Sequence, residues 1–418
     1  MRKNERFMAE EIARRIVEKE RIVAARSGEK IPYRTVDGIF DDNSGTDRIG
    51  WWTNGFYGGL MWLLYEYSGE DIFRQRAEGI EEKLDRNLMQ YGGMDHDSGF
   101  KWLLTSVMDH KLCGNKDSKN RALLAAANLA GRFNPAGRFI RAWNDWSDSE
   151  IGQKAGWAII DCMMNLPLLY WAGNETKDPR FTQIAMLHAD TAIDAFVREN
   201  GSVCHIVCFD PSTGKRLGSL GGQGKEHGSS WTRGQAWALY GFAMSYRFTR
   251  EKRYLETAGK IAAYVLGELE KWEYVPVDFW QEHDIDWEDS TAAAIFACGL
   301  LELENAVKPA RTDDPEQTGK QDETGNREQT GKQDETGNRE QAKAAENEKA
   351  RQYHDAAVSL LGRLADNRCN WDSGTDNITE KCTAAYNDRE HNFTIIYGDY
   401  YFAEGILRLL GKEPAFLR

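Results

Sequence analysis

Two carboxylates open the question of chemistry in this chain. Asp161 lies inside GWAIIDCMMNLPLLYWA (156–172), a run that is apolar nearly throughout. Read as one helix, the run places Trp157, Asp161, Met164 and Leu168 on a single face. A helix this apolar belongs in the interior of a large domain. A carboxylate there is costly unless it is paired, hydrogen-bonded or kept protonated. Asp97, in DHDSGF (95–100), stands just before a second apolar segment, where the ordinary use of Asp is an N-cap. Two carboxylates entering one pocket from neighbouring helices are the arrangement that sugar chemistry uses. The charged one raises the pKa of the other and leaves it able to donate a proton near neutral pH.

The partners of these acids are read from three further stretches. In Ser230-Trp231-Thr232-Arg233-Gly234-Gln235-Ala236-Trp237, Thr232 and Gln235 have capping-box spacing. Arg233 then sits at the first helical position, where a cation opposes the macrodipole. That misfit calls for a partner, and a planar carboxylate is the obvious one. Trp237 lies one turn further on the same side, as core or as a sugar platform. His205, in GSVCHIVCF (201–209), is either a satisfied structural histidine or part of the site. Gln223, in GSLGGQGKEHG (218–228), is a loop residue or part of a mobile lid. Trp52, beside Trp51, Thr53 and Asn54, is an aromatic next to polar residues, as sugar rings require. Cys204-His205-x-x-Cys208 has no second ligand pair, so no metal is expected.

Helical periodicity dominates the elements that must position these groups. Twelve helices are predicted, at about 5–26, 56–68, 71–89, 99–111, 118–133, 156–173, 179–199, 231–249, 251–271, 289–306, 345–367 and 396–411. Strand signals are short, with small hairpin segments at most in 201–209 and 274–280. Odd-numbered helices carry charged faces; even-numbered ones are apolar and aromatic. Six outer and six inner helices paired in sequence predict an all-α, (α/α)6 barrel, with an open helical solenoid as the alternative. In such a ring the inner helices all start at one end, and their entries converge on one pocket favouring an anion. Pro167 is expected to kink the Asp161 helix and set its angle.

Composition bounds the rest. The chain has 418 residues and a formal charge of −13, which disfavours broad nucleic-acid or anionic-membrane contact. The segment MRKNERFMAEEIARRIVEKE reads as neither signal peptide nor membrane helix. Seven scattered cysteines fit a reducing cytoplasm. Residues 316–327 (EQTGKQDETGNR) recur identically at 328–339. The surrounding tract, 308–342, is too polar to bury a core and is expected to be a disordered insertion in a single 1–418 domain.

Six stretches carry a resemblance: WWTNGFYGG (51–59), DHDSGF (95–100), IIDCMMNLPLLYWA (159–172), HGSSWTRGQAW (227–237), DSTAAAIFACGLLE (289–302) and YGDYYFAEGILRL (397–409). In these the chain resembles the unsaturated glucuronyl hydrolases, glycoside hydrolase family 88. The resemblance implies an (α/α)6 barrel and a substrate bearing a 4,5-unsaturated uronic acid at its non-reducing end. It implies hydration of the vinyl ether rather than displacement at the anomeric carbon. Asp161 would protonate C4 and activate the water that adds at C5, with Asp97 binding ring hydroxyls and holding the charge state of Asp161. His205, Gln223 and Arg233 would line the pocket around the uronate, and Trp52 and Trp237 would pack on the sugar. No cofactor is implied, and a monomer or homodimer is expected. Related readings are an unsaturated rhamnogalacturonyl hydrolase acting on pectin fragments and a non-catalytic sugar-binding barrel. Trp371 to Asn392 is the candidate region for aglycone or sulfate recognition.

Overall fold

Alternation of polar-faced and apolar helices sets the architecture. A computed structural model describes residues 1–145, 154–308 and 332–418. The outer helices are α1 (Lys3–Ser27), α3 (Asp71–Leu88), α6 (Lys116–Gly131), α8 (Pro179–Phe196), α10 (Lys252–Leu269) and α12 (Lys332–Asn367). Each outer helix needs one apolar stripe: α10, for example, buries Tyr254, Ala258, Ile261, Ala262 and Val265 and leaves its other side to water. The inner helices are α2 (Phe56–Ser68), α4 (Ser98–Trp102), α7 (Leu166–Thr176), α9 (Thr232–Thr249), α11 (Ser290–Val307) and α13 (Ile396–Leu409). The second of these continues through a π turn, Leu103–Val107, into α5 (Met108–Cys113).

Around the inner ring α9 packs on α11, α11 on α13 and α13 on α2, while α1 packs on α13. The last inner helix thus meets the first, which makes the (α/α)6 ring closed and excludes the open solenoid. Residues of α11 and α13 are buried almost end to end. Apolar enough by composition to span a membrane, α11 is instead enclosed by its neighbours.

Among the described residues three short sheets form. β1 (Thr35–Val36) pairs with β2 (Ile39–Phe40), and β3 (Phe133–Asn134) with β4 (Phe139–Ile140). The third sheet has the order β5 (Trp157–Ile159), β6 (Ile206–Phe209), β7 (Arg216–Leu220), all antiparallel.

That third sheet corrects the reading of 156–173 as one helix. The run is strand β5, then a 3-10 turn at Ile160–Met164, then α7. Uniform apolarity masks the boundary, because a fully buried strand and a buried helix look alike by periodicity. Trp157 and Asp161 therefore do not share a helical face. Pro167 does not kink a helix either. It lies in the first turn of α7, where its missing N–H costs nothing. Over 274–280 the chain makes isolated bridges, Trp231 to Asp278 and Pro276 to Glu288, rather than a strand.

Part of the tract 308–342, expected to be disordered, is helical. Helix α12 begins at Lys332, so 332–342 is helical. Its Lys, Gln, Glu, Arg and Ala residues are good helix formers on an outer element. The first repeat copy, 316–327, and the start of the second lie outside the described residues.

Candidate active site

The strand-turn-helix at Asp161 decides where the acid points. Cross-strand partners Trp157–Cys208, Ala158–Val207 and Ile159–Ile206 fix β5 against β6. The ladder runs one step further, with Ile160 N–H donating to the His205 carbonyl at 3.1 Å. Asp161 and His205 are thereby side by side, with His205 Nε2 3.7 Å from Asp161 Oδ1. Both atoms are buried and have no hydrogen-bond partner, which leaves them available to a ligand.

The His205 tautomer is set by its other nitrogen. Gln223 N–H donates to His205 Nδ1 at 3.0 Å, so a neutral ring carries its proton on Nε2, facing Asp161. Burial, then the positive charge of Arg233, lowers the imidazole pKa to about 3, so the ring is neutral. Gly222 has φ +59°, and a Cβ there would lie 1.9 Å from His205 Nδ1. Gly222 thus fits for two reasons: a left-handed backbone and contact with the imidazole. Gln223 is tied down on all sides: its side chain donates to Ala384 O at 2.7 Å and its carbonyl accepts from Tyr386 N at 2.8 Å. It belongs to the pocket wall rather than to a free lid.

Asp97 occupies the residue before α4, yet its side chain makes no capping bond. Its Oδ1 instead accepts from Asn165 Nδ2 at 3.4 Å, and its Oδ2 lies 3.3 Å from His96 Nε2. The N-cap reading is replaced by contact with the Asp161 turn. Gly99 permits this approach, since a Cβ there would sit 2.5 Å from Asn165 Cα. Burial raises the pKa of both acids. Asp161 is pushed up to about 7, with Arg233 opposing. Asp97 is pushed well above the usual carboxylate range, helped by the negative charges of Asp95 and Asp161. The pair therefore retains a proton at neutral pH, as a general acid requires.

Arg233 has found its planar carboxylate inside the protein. Its Nη1 donates to Asp289 Oδ2 at 2.7 Å and to Thr383 O at 2.6 Å, and its Nη2 bonds Ala384 O. Asp289 also caps α11 through Thr291 N at 3.1 Å. The guanidinium packs 4.5 Å over Trp231 and 5.4 Å from the Tyr397 ring. Arg233 is fully buried, with Nε unpartnered. The capping box predicted from Thr232 and Gln235 does not form. Trp231 holds the N-cap position, Thr232 Oγ1 donates to Pro276 O, and the Gln235 amide clasps Val203 N and O at 2.9 and 3.0 Å. Gln235 thus fixes the chain leading to His205, a long-range role that its local spacing conceals.

An aromatic wall joins the remaining entries. Trp52 is half-buried in a 3-10 turn, Trp52–Gly55, with its ring 4.9 Å from Tyr397 and 5.5 Å from Phe100. Trp237 is buried, 5.1 Å from Phe100 and 5.5 Å from Tyr401. Trp52 lies at the edge of this wall and Trp237 at its floor.

The seven predicted residues thus lie on one connected set of contacts at the inner-helix starts. Sequence reasoning missed Asn165, His96, Asp289 and Tyr397. Asn165 had a signal: it is the one amide in the apolar run IIDCMMNLPLLYWA. Among the described residues one group has metal-ligand proximity: Glu78, Asp109 and Cys113, on α3 and α5. Arg74 already approaches Glu78 at 3.9 Å there.

Comparison with known proteins agrees with this geometry. A family model described as Glycosyl Hydrolase Family 88 matches residues 25–307. The chain is 32% identical over 393 residues to the unsaturated glucuronyl hydrolase of Bacillus sp. (strain GL1), covering 91% of each. It is 30% identical over 365 residues to the unsaturated chondroitin disaccharide hydrolase of Streptococcus pyogenes serotype M1, covering 85% of this chain and 80% of that one. The crystal structure of the Bacillus sp. GL1 unsaturated glucuronyl hydrolase, described as responsible for the degradation of glycosaminoglycan, superposes with a TM-score of 0.79 at 28% identity over 98% of both chains. With the carboxylate pair, the barrel and these matches in hand, the chain belongs to glycoside hydrolase family 88.

Proposed function

We propose that this protein removes 4,5-unsaturated uronic acid from the non-reducing end of lyase-generated oligosaccharides, glycosaminoglycan disaccharides in particular. The observation that carries the reading is the joining of Asp97 and the Asp161 turn through Asn165, beside the unpartnered Nε2 of His205. The reactions ascribed to the Bacillus and Streptococcus relatives support it.

In the proposed reaction Asp161 gives its proton to C4 of the vinyl ether, and positive charge develops at C5 and the ring oxygen. Water adds at C5 and returns a proton to Asp161. The resulting hemiketal opens by breaking the bond between C5 and the ring oxygen, giving a ketone. The hemiacetal left at C1 then releases the rest of the sugar as an alcohol. Asp97 holds the charge state of Asp161, and Arg233, His205 and Gln223 shape the uronate end. Trp52 and Trp237 supply the apolar wall. The chain's own residues suffice for this acid and base work.

We take the protein to act as a monomer or a homodimer. We place the protein in the cytoplasm. All seven cysteines are unpaired, as a reducing compartment allows.

The test uses the conjugated double bond of the substrate, which absorbs in the ultraviolet until hydration removes it. Purified protein is expected to bleach unsaturated chondroitin or hyaluronan disaccharides. Unchanged absorbance on glycosaminoglycan and pectin disaccharides alike would end the enzymatic reading.

A further inference from the structure

Asp97 is buried and Asp161 nearly so, and burial alone does not say which one keeps the proton. The donors around them do. The Asn165 carbonyl accepts from Phe100 N at 2.8 Å, which fixes the amide orientation. Its Nδ2 must then face Asp97 Oδ1 at 3.4 Å and Asp161 O at 3.2 Å. Turning the amide over would oppose oxygen to oxygen and leave Phe100 N–H unpaired. On the other side of Asp97, His96 Nε2 lies 3.3 Å from Oδ2. Burial lowers the His96 pKa to about 4, so its ring is neutral and bears one proton. Its Nδ1 has no partner, so the tautomer with the proton on Nε2 is the one that turns an N–H toward the carboxylate. Asp97 thus accepts a hydrogen bond from Asn165 at Oδ1 and faces the His96 Nε2–H dipole at Oδ2. Asp161 Oδ1 has no donor, since His205 Nε2 at 3.7 Å is beyond hydrogen-bond reach, and only its own backbone N–H serves the carboxyl group.

We propose that Asn165 and His96 are positioning residues that hold Asp97 as the ionised member of the pair and so leave the proton on Asp161. The proposal deepens the hydration reading above and rests on it for its kinetic part. The other charges facing the pair do not reverse it. Lys101 Nζ, which favours ionised Asp97, is held by Asn87 Oδ1 at 2.8 Å and Gly50 O at 3.2 Å. Arg132 is spent on the carbonyls of Met94 and Ala142 and on Asn144 Oδ1. Asp95 opposes a second charge at Asp97, but it accepts from Asp97 N–H at 3.0 Å. Arg233 favours ionised Asp161 across the pocket but is neutralised by Asp289. Cys162, on the same turn as Asp161, stays a neutral thiol because burial raises its pKa.

The experiment combines titration of the resting protein with kinetics. Carboxyl-carbon NMR of the wild type, without substrate, is expected to show Asp97 ionising before Asp161. The reverse order overturns the proposal whether or not the protein turns over any sugar. Asn165→Leu removes one donor and His96→Phe the other. In each, the acidic limb of the kcat profile is expected to move up by about one pH unit, with KM changed less than about twofold. A structural role alone would lower stability without moving that limb. If both variants fold and keep the wild-type limb, the proposal fails. If Asn165→Leu does not fold, His96→Phe and the wild-type titration decide. Absence of wild-type turnover would count against the hydration reading, while the ionisation order would still decide this one.

Discussion

Replacing Arg233 with methionine removes the most heavily bonded cation of the site while roughly keeping its volume. Four acceptors lose a donor: Asp289 Oδ2, Thr291 Oγ1, Thr383 O and Ala384 O. Ala384 O keeps the Gln223 amide at 2.7 Å, and Asp289 keeps Thr291 N at 3.1 Å. Thr383 O is left without a donor. Breaking a buried ion pair costs about 3–5 kcal/mol. The surviving donors to Asp289 argue for the low end, and the stranded carbonyl adds about 1 kcal/mol. The sum is about 4 kcal/mol. For a chain of 418 residues, an unfolding entropy of about 2.1 cal/mol/K per residue gives about 0.9 kcal/mol/K. The melting temperature should therefore fall by about 4–5 °C, read by scanning calorimetry. Adding Asp289→Asn keeps the cap on α11, removes the stranded charge, and should restore about half of the loss. Activity should not return in the double variant, because the cation that shapes the uronate end of the site is absent from both. Calorimetry showing the single variant within about 1 °C of wild type, with no gain in the double, would refute the assignment of Arg233 as an internal anchor.

Asp161→Asn should fold and bind substrate while losing turnover by about 10²–10⁴-fold, the usual range for a general acid; near-normal turnover would remove Asp161 from the chemistry. In the wild type, kcat should fall as pH rises through about 7, where Asp161 loses its proton. The same shift has a stability sign. The folded pKa lies above the unfolded one, so the protonated acid stabilises fully below about pH 4, and that contribution is lost as pH rises through about 7. Thermal scans at pH 8 should accordingly show Asp161→Asn melting above wild type, with the gap narrowing at pH 5 and closing below about pH 4. Gly222→Ala forces a side chain against His205 Nδ1. It should lower kcat strongly with a modest change in melting temperature, and a crystal structure should show a displaced His205 ring.

The ring was legible because it depends on bulk patterning. The inner helix at Phe56–Ser68 stands where the sequence places it, and α9 and α11 begin within a residue of expectation. Asp97, Asp161, His205 and Arg233 were legible as outliers, polar groups in positions where local structure does not require them. What escaped was pairing across distance. Thr232 and Gln235 have the spacing of a cap, but Gln235 serves Val203, thirty-two residues earlier. Arg233 signals a carboxylate, yet nothing local names Asp289, fifty-six residues later. The run 156–172 hides a strand because an apolar stretch shows no period. Asn165 was overlooked beside Asp161 because one amide among apolar side chains gives no hint of what it faces.

The short sheet under the site has a consequence for how this barrel can vary. Acid and imidazole are neighbours through a backbone ladder, Ile159 to Ile206 and then Ile160 to His205, not through the packing of two helices. Their spacing is therefore set by backbone hydrogen bonds rather than by the packing of helices. The ladder also divides the hairpin into tolerant and intolerant parts. One residue added before Ile206 would turn His205 to the opposite face. Residues added at the turn 210–215, which closes on itself through Asp210, would leave the register intact. That turn rests on the β3–β4 hairpin, through Asn134 to Pro211 O and at Gly214 against Ala136, away from the acid and the imidazole.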